Sequence, residues 1–159
     1  MTTHHKTNYR ILAITACLLI AGCVAEPQAT SNNAEVRAIS EAEQTVLALS
    51  EAFNAHDAEA LGSYVAEDVI WLGIGVADSV YVEAKGRSSL VAGMTGYFEA
   101  LPTVRSEVKS PVVTGDFVAF RERVFWESNG EEKTQAALAV YEVRDQLVQR
   151  VWYYPTVAD

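Results

Sequence analysis

The sequence contains little cysteine, little histidine and little basic charge. Two cysteines, Cys17 and Cys23, and three histidines occur in 159 residues, so neither a disulfide-stabilised scaffold nor a zinc cluster is expected; we predict no metal and no cofactor. Lys and Arg number 12 against 21 Asp and Glu, and the formal net charge of -9 opposes binding to nucleic acid. The longest apolar run, residues 11–21, is too short for a membrane-spanning helix of roughly 20 residues.

The first 22 residues have the features of a secretory signal peptide. A basic start with Lys6 and Arg10 precedes the apolar run, which ends in the sequence IAGC at residues 20–23. This ending resembles the lipobox of bacterial lipoproteins. The resemblance implies that Cys23 becomes the first mature residue and carries the lipid, whereas an ordinary export signal that happens to contain a cysteine is the alternative.

Lipidation at Cys23 would anchor the protein to a membrane. Val24 stands where an inner-membrane retention signal has Asp, so the resemblance implies the periplasmic side of the outer membrane, with a palmitate-type lipid. Residues 23–34 are small and polar and predict a flexible tether, and residues 35–159 are predicted to form the domain. Cleavage would leave His56 as the only histidine of the mature chain.

Three helices are predicted at the start of the domain. Ser40 begins a capping box, and apolar residues at helical spacing then predict a helix over residues 41–55. Asp57 is placed to cap a short second helix. Gly86 opens a third helix with an apolar stripe, and Pro102 ends it.

Strands dominate the rest of the domain. The segment DVIWLGIG at residues 68–75 predicts one strand, and residues 79–83 predict an edge strand. After Pro102 the pattern predicts four antiparallel strands separated by turn sequences: 105–112, 117–126, 133–143 and 147–154, with turns at Gly115-Asp116, Asn129-Gly130 and Arg144-Asp145. This order predicts an α+β fold, in which three N-terminal helices pack on one face of a curved antiparallel sheet.

Three phrases, AFNAHDAEALGSYVAEDVIW, GDFVAFRERVFW and VYEVRDQLVQRVWYY, together resemble the nuclear transport factor 2-like superfamily, in particular its SnoaL-like members. The resemblance covers residues 38–154. It implies a cone-shaped sheet with a pocket at its open end and a homodimer formed through the outer face of the sheet. Related domains include isomerases, cyclases, epoxide hydrolases and non-catalytic binders, so the fold alone does not assign a function.

The catalytic groups of two related enzyme classes are missing. In ketosteroid isomerases a Tyr and a protonated Asp hold the oxyanion while another Asp moves the proton; the resemblance places Leu49 at the Tyr position and Gly73 at the position of the base. Limonene epoxide hydrolases carry Glu-Arg-Val-Asp on the long strand, where this sequence has Phe125 after Val124. We therefore expect neither reaction by the known mechanism.

The remaining site candidates are few. Glu122, Glu83 and His56 are candidate acids or bases, although a histidine beside a turn is more often structural. The candidate ligand-binding residues combine arginines of the long strand with aromatic residues that could form pocket walls: Arg121, Arg123, Phe125, Tyr64, Trp71 and Tyr97.

The sequence FRERVFW raises the question of which side of the long strand lines the pocket. Alternation puts Arg121, Arg123 and Phe125 on one face, and Phe120 and Glu122 on the other. Burial pattern favours the second face, but resemblance to the epoxide hydrolases favours the first. We predict that Arg123 lines the pocket and that Glu122 lies on the outer or dimer face.

Three functions remain open at this point. A lipid-anchored binder of a small hydrophobic or amphipathic molecule is preferred, because the pocket-forming fold is retained while the known catalytic groups are not. An enzyme with a divergent active site around Glu122 or Glu83 is the second. A protein-interaction module that uses the aromatic face of the sheet is the third.

Overall fold

A computed structural model describes residues 38–75 and 79–154. These residues belong to one compact unit, Arg37–Asp159. The predicted signal peptide, Cys23 and the tether lie outside the described residues. Among the described helices, none is both long and apolar enough to cross a membrane.

The three predicted helices are present. They are α1 (Glu41–Asn54), α2 (Ala58–Ser63) and α3 (Arg87–Ala100). The Ser40 hydroxyl accepts a hydrogen bond from the Glu43 backbone N–H at 3.1 Å, and Asp57 caps α2 by accepting from the Ala60 N–H at 2.8 Å. These bonds satisfy backbone donors that a helix start leaves unpaired.

Within residues 38–75 and 79–154, six strands form one sheet. They are β1 (Val65–Ile74), β2 (Val80–Lys85), β3 (Arg105–Thr114), β4 (Phe117–Ser128), β5 (Glu131–Arg144) and β6 (Leu147–Tyr153), in the order β2-β1-β6-β5-β4-β3. The four strands after α3 pair with one another in antiparallel fashion, as predicted. The sheet is nevertheless not wholly antiparallel, because β1 pairs with β6 in parallel.

Tight turns between the strands follow their sequence signals. Asn129 and Gly130 both have positive φ angles, 55° and 76°, as the β4–β5 hairpin requires. The β5–β6 turn has its positive φ angles at Asp145 and Gln146, one residue later than predicted.

The main core lies between the helices and one face of the sheet. Val46, Leu49 and Leu61 come from the helices, and Val118 and Phe120 come from β4. Burial of each such side chain contributes roughly 1.5–3 kcal/mol. The architecture confirms the predicted α+β class and determines which side chains of each strand point towards the helices.

Candidate functional site

A cavity of about 680 Å³ lies between the helices and the inner face of the sheet. Its walls come from all three helices and from every strand except β3. Most lining side chains are apolar or aromatic, including Trp71, Tyr97, Tyr141 and Tyr153. This volume and composition are typical of sites for small organic molecules.

A carboxylate lies within this mainly apolar cavity. Glu122 lines the cavity and is only 7% exposed. The Ser106 hydroxyl donates to Glu122 Oε1 at 2.7 Å, and the Tyr141 hydroxyl donates to Glu122 Oε2 at 3.3 Å. Each carboxylate oxygen therefore has a protein donor and retains capacity to accept from a ligand.

Two tyrosines extend this network along the cavity wall. The hydroxyl oxygens of Tyr141 and Tyr153 are 3.0 Å apart. The Tyr141 hydroxyl uses its hydrogen in the bond to Glu122, so its oxygen accepts a hydrogen bond from the Tyr153 hydroxyl. Burial, reinforced by the negative charge of Glu122, raises the pKa of both tyrosines well above 10.0, so both stay neutral donors. The Tyr153 side chain lines the cavity, but burial removes water from around its hydroxyl group.

Asn54 at the end of α1 fixes the position of Ser106. Its side-chain amide donates to the Ser106 carbonyl at 2.9 Å, and its side-chain oxygen accepts from the Ser106 N–H at 2.7 Å. This pair of bonds ties β3 to α1. It consequently holds the Ser106 hydroxyl in position to donate to Glu122.

A second carboxylate lies at the edge of the cavity on β2. Glu83 lines the cavity, and its side chain is exposed on the solvent side. Partial burial against the cavity wall raises the pKa of Glu83 above 4.5.

Nearby, the Tyr81 ring occupies the space beside Gly73, where a Cβ atom would lie only 2.2 Å from Tyr81 Cζ. A larger residue at position 73 would thus displace this ring.

The predicted orientation of β4 is wrong. Glu122 faces the cavity, whereas Arg123 and Phe125 are not among its lining residues. The reason is energetic: the alternative orientation would expose Val118 and Phe120, each worth roughly 1.5–3 kcal/mol when buried. It would also bring the guanidinium groups of β4 into the core, which costs more than burying one carboxylate that has two donors.

The outward side of β4 has contacts of its own. The Arg105 guanidinium lies 3.8 Å from the centre of the Phe125 ring, and the Arg123 guanidinium lies 5.9 Å from it. Arg121 is exposed on the same side. The expectation that Arg121, Arg123 and Phe125 line the ligand pocket is therefore not met.

The other predicted site residues divide between the cavity and the framework. Trp71 and Tyr97 line the cavity as expected, but Tyr64 is the C-terminal cap residue of α2 and is not a lining residue. His56 lies away from this cavity; its Nε2 donates to the Val104 carbonyl at 2.6 Å and its ring stacks on Phe98. His56 thus has a structural role and is not positioned to act as a base in this cavity.

Two residues of the site, Ser106 and Asn54, are not predicted from the sequence. Ser106 contacts a residue 16 positions away, and Asn54 contacts one 52 positions away. Neither lies in a recognisable motif. The alternation of β4 did contain the signal for Glu122, because it placed this residue on the more apolar face.

Metal binding has no evident site among the described residues, since no group of three or more His, Cys, Asp or Glu side chains is placed to hold an ion. The cavity therefore offers one buried carboxylate, neutral hydroxyl donors and aromatic surface. Such groups can bind a polar hydrogen of an apolar molecule and can accept a proton from it.

A model of the SnoaL-like domain family matches residues 46–151, more than half of the chain. The chain belongs to this family. The match includes Ser106, Glu122 and Tyr141, whereas Tyr153 lies two residues beyond its end. No curated protein matches the chain.

Solved structures support the same fold for this SnoaL-like domain. A loop truncation variant of IdmH is 26% identical with a TM-score of 0.61, over 74% of this chain and 92% of that one. Wild-type IdmH, a candidate polyketide cyclase from Streptomyces antibioticus, is 24% identical with a TM-score of 0.59, over 76% and 93%. A Mycobacterium tuberculosis protein in complex with estradiol-17β-hemisuccinate is 19% identical with a TM-score of 0.62, over 73% and 94%.

Proposed function

We propose that this protein is a lipid-anchored envelope protein whose SnoaL-like domain binds a small amphipathic molecule. The observation that carries the proposal is Glu122, a buried carboxylate that faces a mainly apolar cavity of about 680 Å³. A buried carboxylate requires donors, and a ligand hydroxyl or amine would add one to those from Ser106 and Tyr141. Aromatic walls would bind the apolar body of the same molecule.

The binding proposal can be tested by closing the cavity from one side. Gly93 on α3 lines the cavity, and a Cβ atom there meets nothing within 4 Å. Gly93→Phe should therefore fill part of the cavity with a ring, starting from a Cβ position that meets no other atom. Gly96→Phe is the matched control, because Gly96 has the same free space on the same helix but does not line the cavity.

Native mass spectrometry of the purified protein gives the readout. We expect a small molecule to be retained by the unmodified protein and by Gly96→Phe, and to be lost from Gly93→Phe. A bare chain mass for the unmodified protein, or equal retention by both variants, would contradict the proposal.

Acid–base catalysis is a second candidate function, favoured by the hydrogen bonds of Glu122. Ser106 and Tyr141 orient its carboxylate, and the raised pKa values of Tyr141 and Tyr153 keep these residues protonated. Glu122 could then take a proton from an acidic C–H or O–H of the ligand, while the tyrosine chain donates hydrogen bonds to the developing negative charge. The similarity to IdmH, a candidate polyketide cyclase, agrees with such chemistry but does not assign a substrate.

Catalysis and binding can be separated with the retained molecule. If Glu122 is a base, acidic C–H positions of that molecule should exchange with deuterated water faster in the presence of the protein. Glu122→Gln should keep the molecule bound and lose this exchange. Exchange that persists in Glu122→Gln would exclude Glu122 as the base.

Anchoring through Cys23 at the periplasmic side of the outer membrane is the part of the proposal that rests on the sequence IAGC at residues 20–23 and on Val24. A tether over residues 23–34 would then let the domain reach molecules close to the membrane surface. Amphipathic molecules concentrate at such surfaces, which agrees with the composition of the cavity.

A homodimer through the outer face of the sheet is also proposed. Three large apolar side chains, Val112, Phe117 and Leu138, are 64%, 44% and 49% exposed. They lie on the side of β3, β4 and β5 that faces away from the helices. Sedimentation analysis should give a dimer that Leu138→Lys dissociates, and a monomeric unmodified protein would contradict this proposal.

A further inference from the structure

The charged residues of the cavity all have one sign. Among the described residues that line it, Glu83 and Glu122 are the charged side chains, and no Lys, Arg or His is present. The arginines of β4 point to the opposite face of the sheet. The cavity therefore has no described basic group that could pair with a carboxylate or phosphate of a ligand.

The charge of Glu122 acts across the cavity. It adds to burial in raising the pKa of Tyr97 on α3, and it does the same for Tyr141 on β5 and Tyr153 on β6. Electrostatic interactions in such a desolvated site are stronger than in water. A negatively charged ligand would be repelled there without a compensating partner, whereas a positively charged one would be attracted.

The aromatic walls add a second attraction for positive charge. Trp71 stacks with Tyr153 at a centroid distance of 5.8 Å, and Tyr141 meets both rings edge on. Ring faces attract ammonium groups, most strongly when water is excluded. A carboxylate and several electron-rich rings around one apolar space are the elements with which proteins recognise amines.

We propose that the cavity selects organic cations, namely molecules with an ammonium group on an apolar, ring-containing body. This inference rests on the proposed binding function and narrows its ligand class. The ammonium group lies near Glu122 and the tyrosine rings, the body fills the apolar part of the cavity, and Glu83 draws cations towards the opening.

Three probes of nearly equal size and shape separate charge from hydrophobicity: naphthylethylamine, naphthylethanol and naphthylacetate. Their dissociation constants are measured by calorimetry at neutral pH and about 0.15 M salt, where the Debye length is about 8 Å and surface attraction is largely screened. We expect the amine to bind about tenfold or more tightly than the alcohol, as a desolvated charge-assisted contact implies. The acetate should bind more weakly than the alcohol.

Variants locate the source of the preference. Glu122→Gln keeps the shape of the side chain and should remove most of the difference between amine and alcohol. Glu83 lies at the exposed edge and is not part of the buried hydrogen-bond network, so Glu83→Gln should fold normally. It should reduce the preference for the amine by a smaller factor than Glu122→Gln. The matched control is Glu127→Gln. It removes one exposed charge from β4, the strand that carries Glu122, at a position outside the cavity, and should leave the preference for the amine unchanged.

The outcomes distinguish the two proposals. Equal or weaker binding of the amine relative to the alcohol would overturn the cation inference while leaving small-molecule binding intact. A preference that drops equally in Glu127→Gln and Glu122→Gln would also overturn it, since general surface charge would then be the cause. Binding of none of the three probes at millimolar concentration would overturn the proposed function and this inference together.

Discussion

The hydroxyl of Ser106 lies 2.7 Å from Oε1 of Glu122, and both side chains are more than nine-tenths buried. This contact joins two neighbouring strands, β3 and β4, on the inner face of the sheet. A buried carboxylate without such a donor would be costly. The contact explains how the domain tolerates a carboxylate in its cavity.

Ser106→Ala should therefore destabilise the protein by about 1–3 kcal/mol, because it leaves one oxygen of a buried carboxylate without its closest donor. Urea denaturation followed by circular dichroism measures the change. Ser88→Ala, at an exposed position of α3, is the control and should stay within about 0.5 kcal/mol. Equal effects of the two substitutions would show that the contact contributes nothing specific.

Asn54→Ala removes both bonds to the Ser106 backbone and should cost about 1–3 kcal/mol. Asn54→Asp is a graded comparison, because Asp can still accept from the Ser106 N–H but cannot donate to its carbonyl. Denaturation midpoints should fall in the order unmodified, Asn54→Asp, Asn54→Ala. Full stability of Asn54→Ala would refute the positioning role of this residue.

The tyrosine network predicts a loss of stability at alkaline pH. In the unfolded chain Tyr153 ionises near 10.0, but in the folded domain its pKa is raised well above this value, chiefly by burial. The folded state then holds more protons, so the free energy of unfolding falls as pH rises above 10.0. Tyr153→Phe should reduce this slope, whereas Trp152→Phe, which removes no ionisable group from the same strand, should not. Denaturation curves at a series of pH values provide the test, and parallel slopes for all three proteins would contradict it.

Helices, strands and turns of this domain follow from local sequence, but the site does not. Ser40, Asp57 and Asn129-Gly130 act through neighbours only a few residues away, which is why their roles were predicted correctly. Glu122 depends on Ser106 and Tyr141, which lie 16 and 19 positions away and meet it only once three strands are in register.

The face of β4 was predicted wrongly because a family motif outweighed the apolar pattern of the strand. Val118 and Phe120 on the same face as Glu122 already indicated burial. This sequence has the arginine of the epoxide hydrolase motif, Arg123, but not its aspartate. Although Arg123 matches the motif, it does not face the cavity as the motif's arginine does in the epoxide hydrolases. Where a motif has lost its catalytic residue, the burial pattern is the better guide.

If Cys23 carries the lipid, replacing its sulfur atom with oxygen should prevent lipidation. Cys23→Ser should abolish incorporation of a fatty-acid analogue in bacteria that express the full chain, because lipid attachment requires the thiol. Cys17→Ser is the control and should be labelled normally, since Cys17 lies upstream of the predicted cleavage site. Label that persists in Cys23→Ser would disprove the lipobox assignment.

We propose that the inner face of the sheet, with Glu122, binds the ligand. The chain has three tryptophans, of which Trp71 lines the cavity while Trp152 pairs with Phe117 on the outer face. Fluorotryptophan labelling therefore gives three fluorine resonances, which Trp→Phe variants assign. Titration with naphthylethanol, which carries no charge, should shift the resonance of Trp71 and leave that of Trp152 in place. A shift of Trp152 with Trp71 unchanged would place the ligand on the face of Arg123 and contradict the account.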